Sequence, residues 1–119
     1  MKQFEIWWAN LPAPAGRRPV LLLSRNDAYE YLNKFIVAEI TTTIRTIPVE
    51  VRLGRREGLT GPCVANLDNL RTAARQWFES RAGSLPPARR REVKRALGYA
   101  LAWNELIDVD LDSWTSGRA

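Results

Sequence analysis

The sequence has 119 residues, enough for one compact domain that folds without covalent staples. Its 18 Lys and Arg against 13 Asp and Glu give a formal charge of +5, which favours polyanionic partners, and its single cysteine rules out an internal disulfide or a thiolate zinc site. The absence of histidine excludes a Ser-His-Asp triad, a two-histidine acid–base mechanism and a His-rich metal site, so an enzyme made of this chain works through Arg, Thr, Ser, Asp or Glu, with no metal or cofactor expected.

The opening stretch MKQFEIWWANLPAPAG has no apolar signal core, and no apolar run anywhere reaches membrane-spanning length, which predicts a cytoplasmic protein that crosses no membrane. FEIWWANL (residues 4 to 11) reads as a strand, ended by the punctuation PAPAG. Trp7 and Trp8 fall on opposite faces of it, so one is expected in the core and the other free for a partner. PVLLLS (19 to 24) and FIVAEI (35 to 40) are apolar runs of core-strand length, joined by RNDAYEYLN, which suits one or two helical turns behind an Asn or Asp cap. IPVEVRL (47 to 53) alternates, with Val49, Val51 and Leu53 on one face and Glu50 and Arg52 on the other. After the loop GRREGLTG, CVANL reads as a fifth short strand and LRTA as a sixth, with Asp68 and Asn69 in an Asx-rich turn between them. Cys63, next to apolar Val64, reads as a buried and inert thiol.

From Pro86 the period changes. Val93, Ala96, Leu97, Ala100 and Leu101 recur at helical spacing, and Arg89, Arg90, Arg91, Lys94 and Arg95 crowd the start of that helix as a solvated basic face. Short strands followed by one helix predict a mixed, mostly β domain: a small curled antiparallel sheet or barrel capped by a C-terminal α-helix.

Three stretches, GRRPVLLLS (16 to 24), IVAEITTTIR (36 to 45) and VANLDNLRT (64 to 72), stand at strand ends. Together with the opening EIWWANLPAPAGRRP and the closing helix PPARRREVKRALGYAL, they resemble the MazF/PemK toxin family in order and spacing over roughly residues 3 to 103. The resemblance implies an SH3-like small barrel with a C-terminal helix, spanning residues 1 to 105. It also implies a homodimer, a cognate acidic antitoxin, and metal-independent, sequence-preferring cleavage of single-stranded RNA. In that family the arginine of the R-P-V motif and a threonine ending the next core strand carry catalysis, which here are Arg18 and Thr41. Many members have a glycine where this chain has Phe4, an acid where it has Asn10, a G-x-E-Q-x-G loop where it has PAPAGRRP, and some an arginine where it has Asn66.

The chemistry suits the residues. RNA cuts itself when its 2′-OH attacks the adjacent phosphorus, so a protein need only orient the nucleotide and stabilise charge on the phosphorane oxygens. Arg18 offers a planar fork of donors and Thr41 a hydroxyl. Arg17, Thr42, Thr43, Arg45, Asn66, Asp68, Asn69 and Arg71 are expected to contact the RNA. On the residues alone, the arginines also fit exposed strand-end cations, the threonines simple β-propensity, and Asp68 and Asn69 local backbone capping.

Two rivals belong to other classes: a CcdB-like gyrase poison that cleaves nothing, and a barrel that binds RNA without cutting it. The terminus SWTSGRA lacks the apolar end that gyrase poisons use. Residues 106 to 119 form an acidic-apolar tail, in which Asp108, Asp110 and Asp112 alternate with apolar residues. It reads as an edge strand or frayed tail, or as an extended segment able to lie over a basic groove.

Overall fold

The structure, a computed structural model, describes residues 1–107. Among them, six antiparallel strands make one sheet: β1 (Glu5–Asn10), β2 (Arg17–Leu22), β3 (Lys34–Thr41), β4 (Glu50–Leu53), β5 (Cys63–Ala74) and β6 (Phe78–Ser84). Their spatial order is β4-β5-β3-β2-β1-β6. A short helix α1 (Ala28–Tyr31) joins β2 to β3, and α2 (Arg90–Leu101) and α3 (Asn104–Ile107) follow the sheet.

The apolar runs make both faces of the sheet pack. On one face Ile6, Leu21, Ala38, Ile40, Val51, Leu53, Ala65 and Leu67 form a core that Val93 and Ala96 of α2 cover. On the other, Val20, Leu22, Phe35, Val37 and Ala73 pack with Tyr29 of α1 and with Trp7 and Phe78. The helical stripe holds for Val93, Ala96, Leu97 and Ala100, but Leu101 at its end is 54% exposed.

The sheet curls until its ends meet. Gly58, at φ 95 after the 3₁₀ turn Arg55–Glu57 that follows β4, lies against β6 so closely that a Cβ would sit 2.1 Å from the Ala82 carbonyl oxygen, and one on Gly83 would sit 1.9 Å from that of Glu57. Only glycine permits that backbone approach. Arg89 seals the same corner: it bonds the buried carboxylate of Glu57 at 3.1 Å and that of Glu92 at 2.7 Å. The predicted solvated basic face is therefore corrected at Arg89, which is a half-buried anchor of α2, while Arg90 lies 4.8 Å over the Phe4 ring.

Phe4 itself has φ 71, in the left-handed region that glycine adopts without steric cost. That is the position where many members of the resembled family carry glycine. The backbone there is committed on both sides, its N–H donating to Leu22 at 2.8 Å and its carbonyl accepting from Leu85 at 2.9 Å.

Three predictions about elements change. CVANL and LRTA are one twelve-residue strand, β5, and the turn expected at Asp68 and Asn69 is instead an irregularity inside it. Ala38 pairs with Leu70 and Ile40 with Ala65, so residues 66 to 69 bulge out opposite the single residue Glu39. β6 was not expected, because FESRAGS is polar and contains glycine; it exists as the edge partner of β1. Neither tryptophan is buried or free. Trp7 packs edge-on to Phe78 at 6.5 Å and donates to Glu5, and Trp8 carries the Arg17 guanidinium 4.4 Å above its ring. Of the predicted tail, Leu106 and Ile107 belong to α3, pressed against Gly98; the remainder lies outside the described residues.

Candidate functional site

Strand pairing decides which of the predicted residues meet. On β3 the side chains of Val37, Glu39 and Thr41 share one face, and β2 sets Val20 opposite Glu39 on that same face. The buried apolar strip of Val20 and Val37 thus runs out into Arg18, Glu39 and Thr41, where the strands reach the surface. The bulge of β5 leans over this end.

The result is an open cavity of about 340 Å³, lined by Arg18, Thr41, Thr43, Arg45, Asn66, Asp68 and Asn69, with Ile47 at its side. Residues separated by half the chain, from strands β2, β3 and β5 and the loop after β3, converge on one polar hollow. Asn66 is buried and its side-chain oxygen accepts the Asp68 N–H at 2.9 Å, so the local capping expected of Asp68 and Asn69 is performed by Asn66, and it shapes the bulge.

Each lining group has a defined state. The Arg18 guanidinium donates through Nε and Nη2 to the Ala15 carbonyl, at 3.3 and 3.2 Å, and through Nη1 to Glu39 at 3.3 Å. Of its five N–H groups, two remain for a ligand. The Thr41 Oγ1 accepts the Thr43 N–H at 3.1 Å, which uses a lone pair and leaves the hydroxyl proton to donate. The loop carrying Arg45 is pinned by Glu50, whose carboxylate accepts the Arg45 N–H at 3.1 Å and the Thr46 N–H at 2.9 Å, with Thr46 at φ 58. Two cations, Arg18 and Arg45, and one acid, Asp68, line the hollow, so it suits a phosphate with a polar base beside it.

The other expected contacts lie elsewhere. Thr42 does not line the hollow; it borders a smaller, mostly apolar pocket of about 150 Å³ with Trp8, Pro19, Ile40, Thr41 and Leu59, and a shallow one of about 190 Å³ with Arg17, Arg18 and Thr41. Arg17 leaves the hollow for the sheet edge, where it pairs with Glu79 at 2.8 Å and holds that carboxyl below its usual range. Arg71 does not line the hollow; it bonds Glu39 at 3.3 Å and lies 5.8 Å from the Trp77 ring centre. Cys63 is buried, and burial pushes its thiol pKa up, with the Glu57 charge adding to the effect.

Sequence reasoning missed Glu39 and Glu50. The signal for Glu39 was present in FIVAEI, where a lone acid inside a core-strand run has to find a cation. Glu50 read as one outward residue of an alternating strand, and its backbone partners become visible only when the preceding loop folds back. Among the described residues, no three His, Cys, Asp or Glu side chains gather where they could hold a metal ion, and no helix is long and apolar enough to cross a membrane.

Comparison with known proteins places the fold. The model of the PemK-like, MazF-like toxins of type II toxin–antitoxin systems matches residues 2–101. Probable endoribonuclease MazF2 of Mycobacterium tuberculosis is 35% identical over 98 residues, covering 82% of this chain and 94% of the relative. Among solved structures, Mycobacterium tuberculosis toxin MazF-mt6 superposes with a TM-score of 0.77 at 32% identity, over 82% of this chain and 96% of that one. A mycobacterial endoribonuclease in complex with its cognate antitoxin gives a TM-score of 0.74 at 27% identity, over 87% and 96% of the two chains.

Proposed function

The chain belongs to the PemK-like, MazF-like toxin family of type II toxin–antitoxin systems, and from that premise we propose that the hollow at Arg18 and Thr41 is where this endoribonuclease toxin cuts single-stranded RNA. The observation that carries the reading is the convergence of both residues with Asn66, Asp68 and Asn69 on one open polar hollow.

The RNA 2′-oxygen attacks the adjacent phosphorus and the P–O5′ bond breaks, leaving a 2′,3′-cyclic phosphate and a 5′-OH. The 2′-OH gives up its proton and the departing 5′-oxygen takes one up. As negative charge builds on the non-bridging oxygens, the two remaining Arg18 N–H groups and the Thr41 hydroxyl donate to them, and no metal is required. Both donors stand on rigid strands, so they are in place before the charge develops. Asp68 and Asn69 face outward from the bulge, where their amide and carboxylate groups fit the edges of a splayed base, and Thr43 and Arg45 line the path of the backbone.

The toxin acts in the cytoplasm as a homodimer, and its cognate antitoxin is an acidic, partly disordered chain. The charge of +5 supports that partner, since an acidic segment folding over the hollow competes directly with phosphates.

The test is incubation of the purified protein with a long RNA and with the all-deoxy oligonucleotide of one cleavage site, each with and without EDTA, followed by analysis of the ends. Cutting of RNA alone, resistant to EDTA and leaving the cyclic phosphate, is the expected result. Cleavage of the deoxy strand at comparable rate, or loss of activity on chelation, refutes the mechanism. Binding without cutting refutes the enzyme.

A further inference from the structure

Glu39 is the one charged residue in the run FIVAEI and the one β3 residue opposite the β5 bulge. Its side chain is 17% exposed and each carboxylate oxygen takes one guanidinium: Oε1 accepts from Arg18 Nη1 and Oε2 from Arg71 Nη1, both at 3.3 Å. It is not among the residues that line the hollow, and it reaches the site only through Arg18.

We propose that Glu39 is a positioning residue for the cleavage reaction. It holds the Arg18 guanidinium in the plane that turns the two free N–H groups into the hollow, and Arg71 fixes the carboxylate from the other side. The inference rests on the reading of Arg18 given under Proposed function.

The argument is geometric first. A guanidinium bonded only to the Ala15 carbonyl can pivot about that acceptor. A second anchor at Nη1, on another strand, removes the pivot. Misplacement of a catalytic donor by about 1 Å costs on the order of 10²-fold in rate, so an anchor of this kind is worth a measurable part of the turnover. Charge gives the second argument. Arg18 and Arg71 lie on the same face and both are partly buried; without Glu39 they repel, and Arg71, whose Nε is buried with no hydrogen-bond partner, is left with the Trp77 ring 5.8 Å away. The carboxylate cancels one of these two charges, so the Arg18–Glu39–Arg71 group carries a single net positive charge beside the hollow.

The test is a double-mutant cycle on cleavage of a short RNA, read as kcat and KM, with thermal stability measured alongside. Glu39→Gln keeps the shape and removes the charge. It is expected to lower kcat about 10- to 50-fold with KM within about threefold, and to add less than about threefold to the loss already caused by Arg18→Ala. Wild-type kcat in Glu39→Gln, a gain in kcat, or the same fold-loss in the Arg18→Ala background overturns the proposal, because a residue acting through Arg18 has nothing to position once Arg18 is gone. Should Glu39→Gln lose its thermal transition, Glu39→Asp replaces it: reduced kcat at unchanged Tm supports the role, and unchanged kcat overturns it. Wild-type protein that cuts no RNA removes the Proposed function and this inference together, whereas wild-type cutting with an additive cycle removes this inference alone.

Discussion

The Arg18 guanidinium clasps the carbonyl oxygen of Ala15 with both Nε and Nη2, at 3.3 and 3.2 Å, so the loop before β2 orients the side chain that β2 carries. Its neighbour Arg17 is bound differently, stacked on Trp8 and paired with Glu79 at the sheet edge. Arg18→Ala is expected to reduce RNA cleavage by about 10² to 10³-fold with an unchanged circular-dichroism spectrum, and Arg17→Ala by less than about tenfold. Near wild-type cleavage by folded Arg18→Ala moves the site elsewhere.

Thr41 and Thr42 are adjacent, but only Thr41 lines the hollow with Arg18; the two share the neighbouring apolar pocket. Thr41→Val, which keeps the shape and removes the donor, is expected to lower kcat by about 10²-fold, and Thr42→Val by less than about fivefold. Equal losses from the two would show that lining the hollow does not set the role of Thr41.

Glu50 holds the 42–49 loop through the N–H groups of Arg45 and Thr46. Glu50→Ala frees the loop that carries Arg45, so KM is expected to rise about tenfold with a smaller change in kcat, and stability to fall by about 1 kcal/mol. Steady-state kinetics with one short substrate decides it: a fall in kcat at constant KM contradicts a role in holding substrate.

Gly83 admits no side chain, since a Cβ would lie 1.9 Å from the Glu57 carbonyl oxygen, whereas one at Gly61 would meet nothing within 4 Å. Gly83→Ala is expected to cost about 3 kcal/mol or more in urea unfolding and Gly61→Ala less than about 0.5 kcal/mol. Comparable midpoints for the two would mean that the curl of the sheet does not depend on that contact.

Stability should fall in acid through three glutamates, of which exposed Glu79, held low by its hydrogen bond from Arg17, contributes least. The hydrogen bond from Arg89 holds the Glu92 carboxyl below its usual range against the opposing effect of burial. Burial alone would raise Glu5, but hydrogen bonds from Trp7 and the Lys2 N–H, with the Arg81 charge, outweigh it and leave a net lowering. A depressed folded pKa gives stability that is complete above the unfolded value, about 4.3, and is lost as pH falls through the folded one. Urea midpoints are therefore expected to stay level from neutral pH to about 5 and to drop below about 4, with Glu92→Gln flattening the drop. A midpoint that rises on acidification would reverse the sign.

The sequence by itself determined what depends on near neighbours. Period-two alternation at Val49, Val51 and Leu53, apolar runs at 19 to 24 and 35 to 40, and the helical stripe from Val93 as far as Ala100 all follow from side-chain spacing along one element, and each is found. The order of motifs also pointed to Arg18 and Thr41, which the fold brings to one hollow. Tertiary structure decided the rest, through pairing between residues far apart in the chain. β6 is polar and becomes a strand only because β1 offers it an open edge. Asp68 and Asn69 read as a turn, yet β3 on one side and β4 on the other hold their strand continuous, so the same residues bulge over Glu39. Arg71 reads in sequence as an RNA contact, and only the fold reveals its ion pair with Glu39, 32 residues away. Local spacing carries the burial of an element, but the partner of a charge is set by which strands lie side by side, and that is a property of the folded sheet.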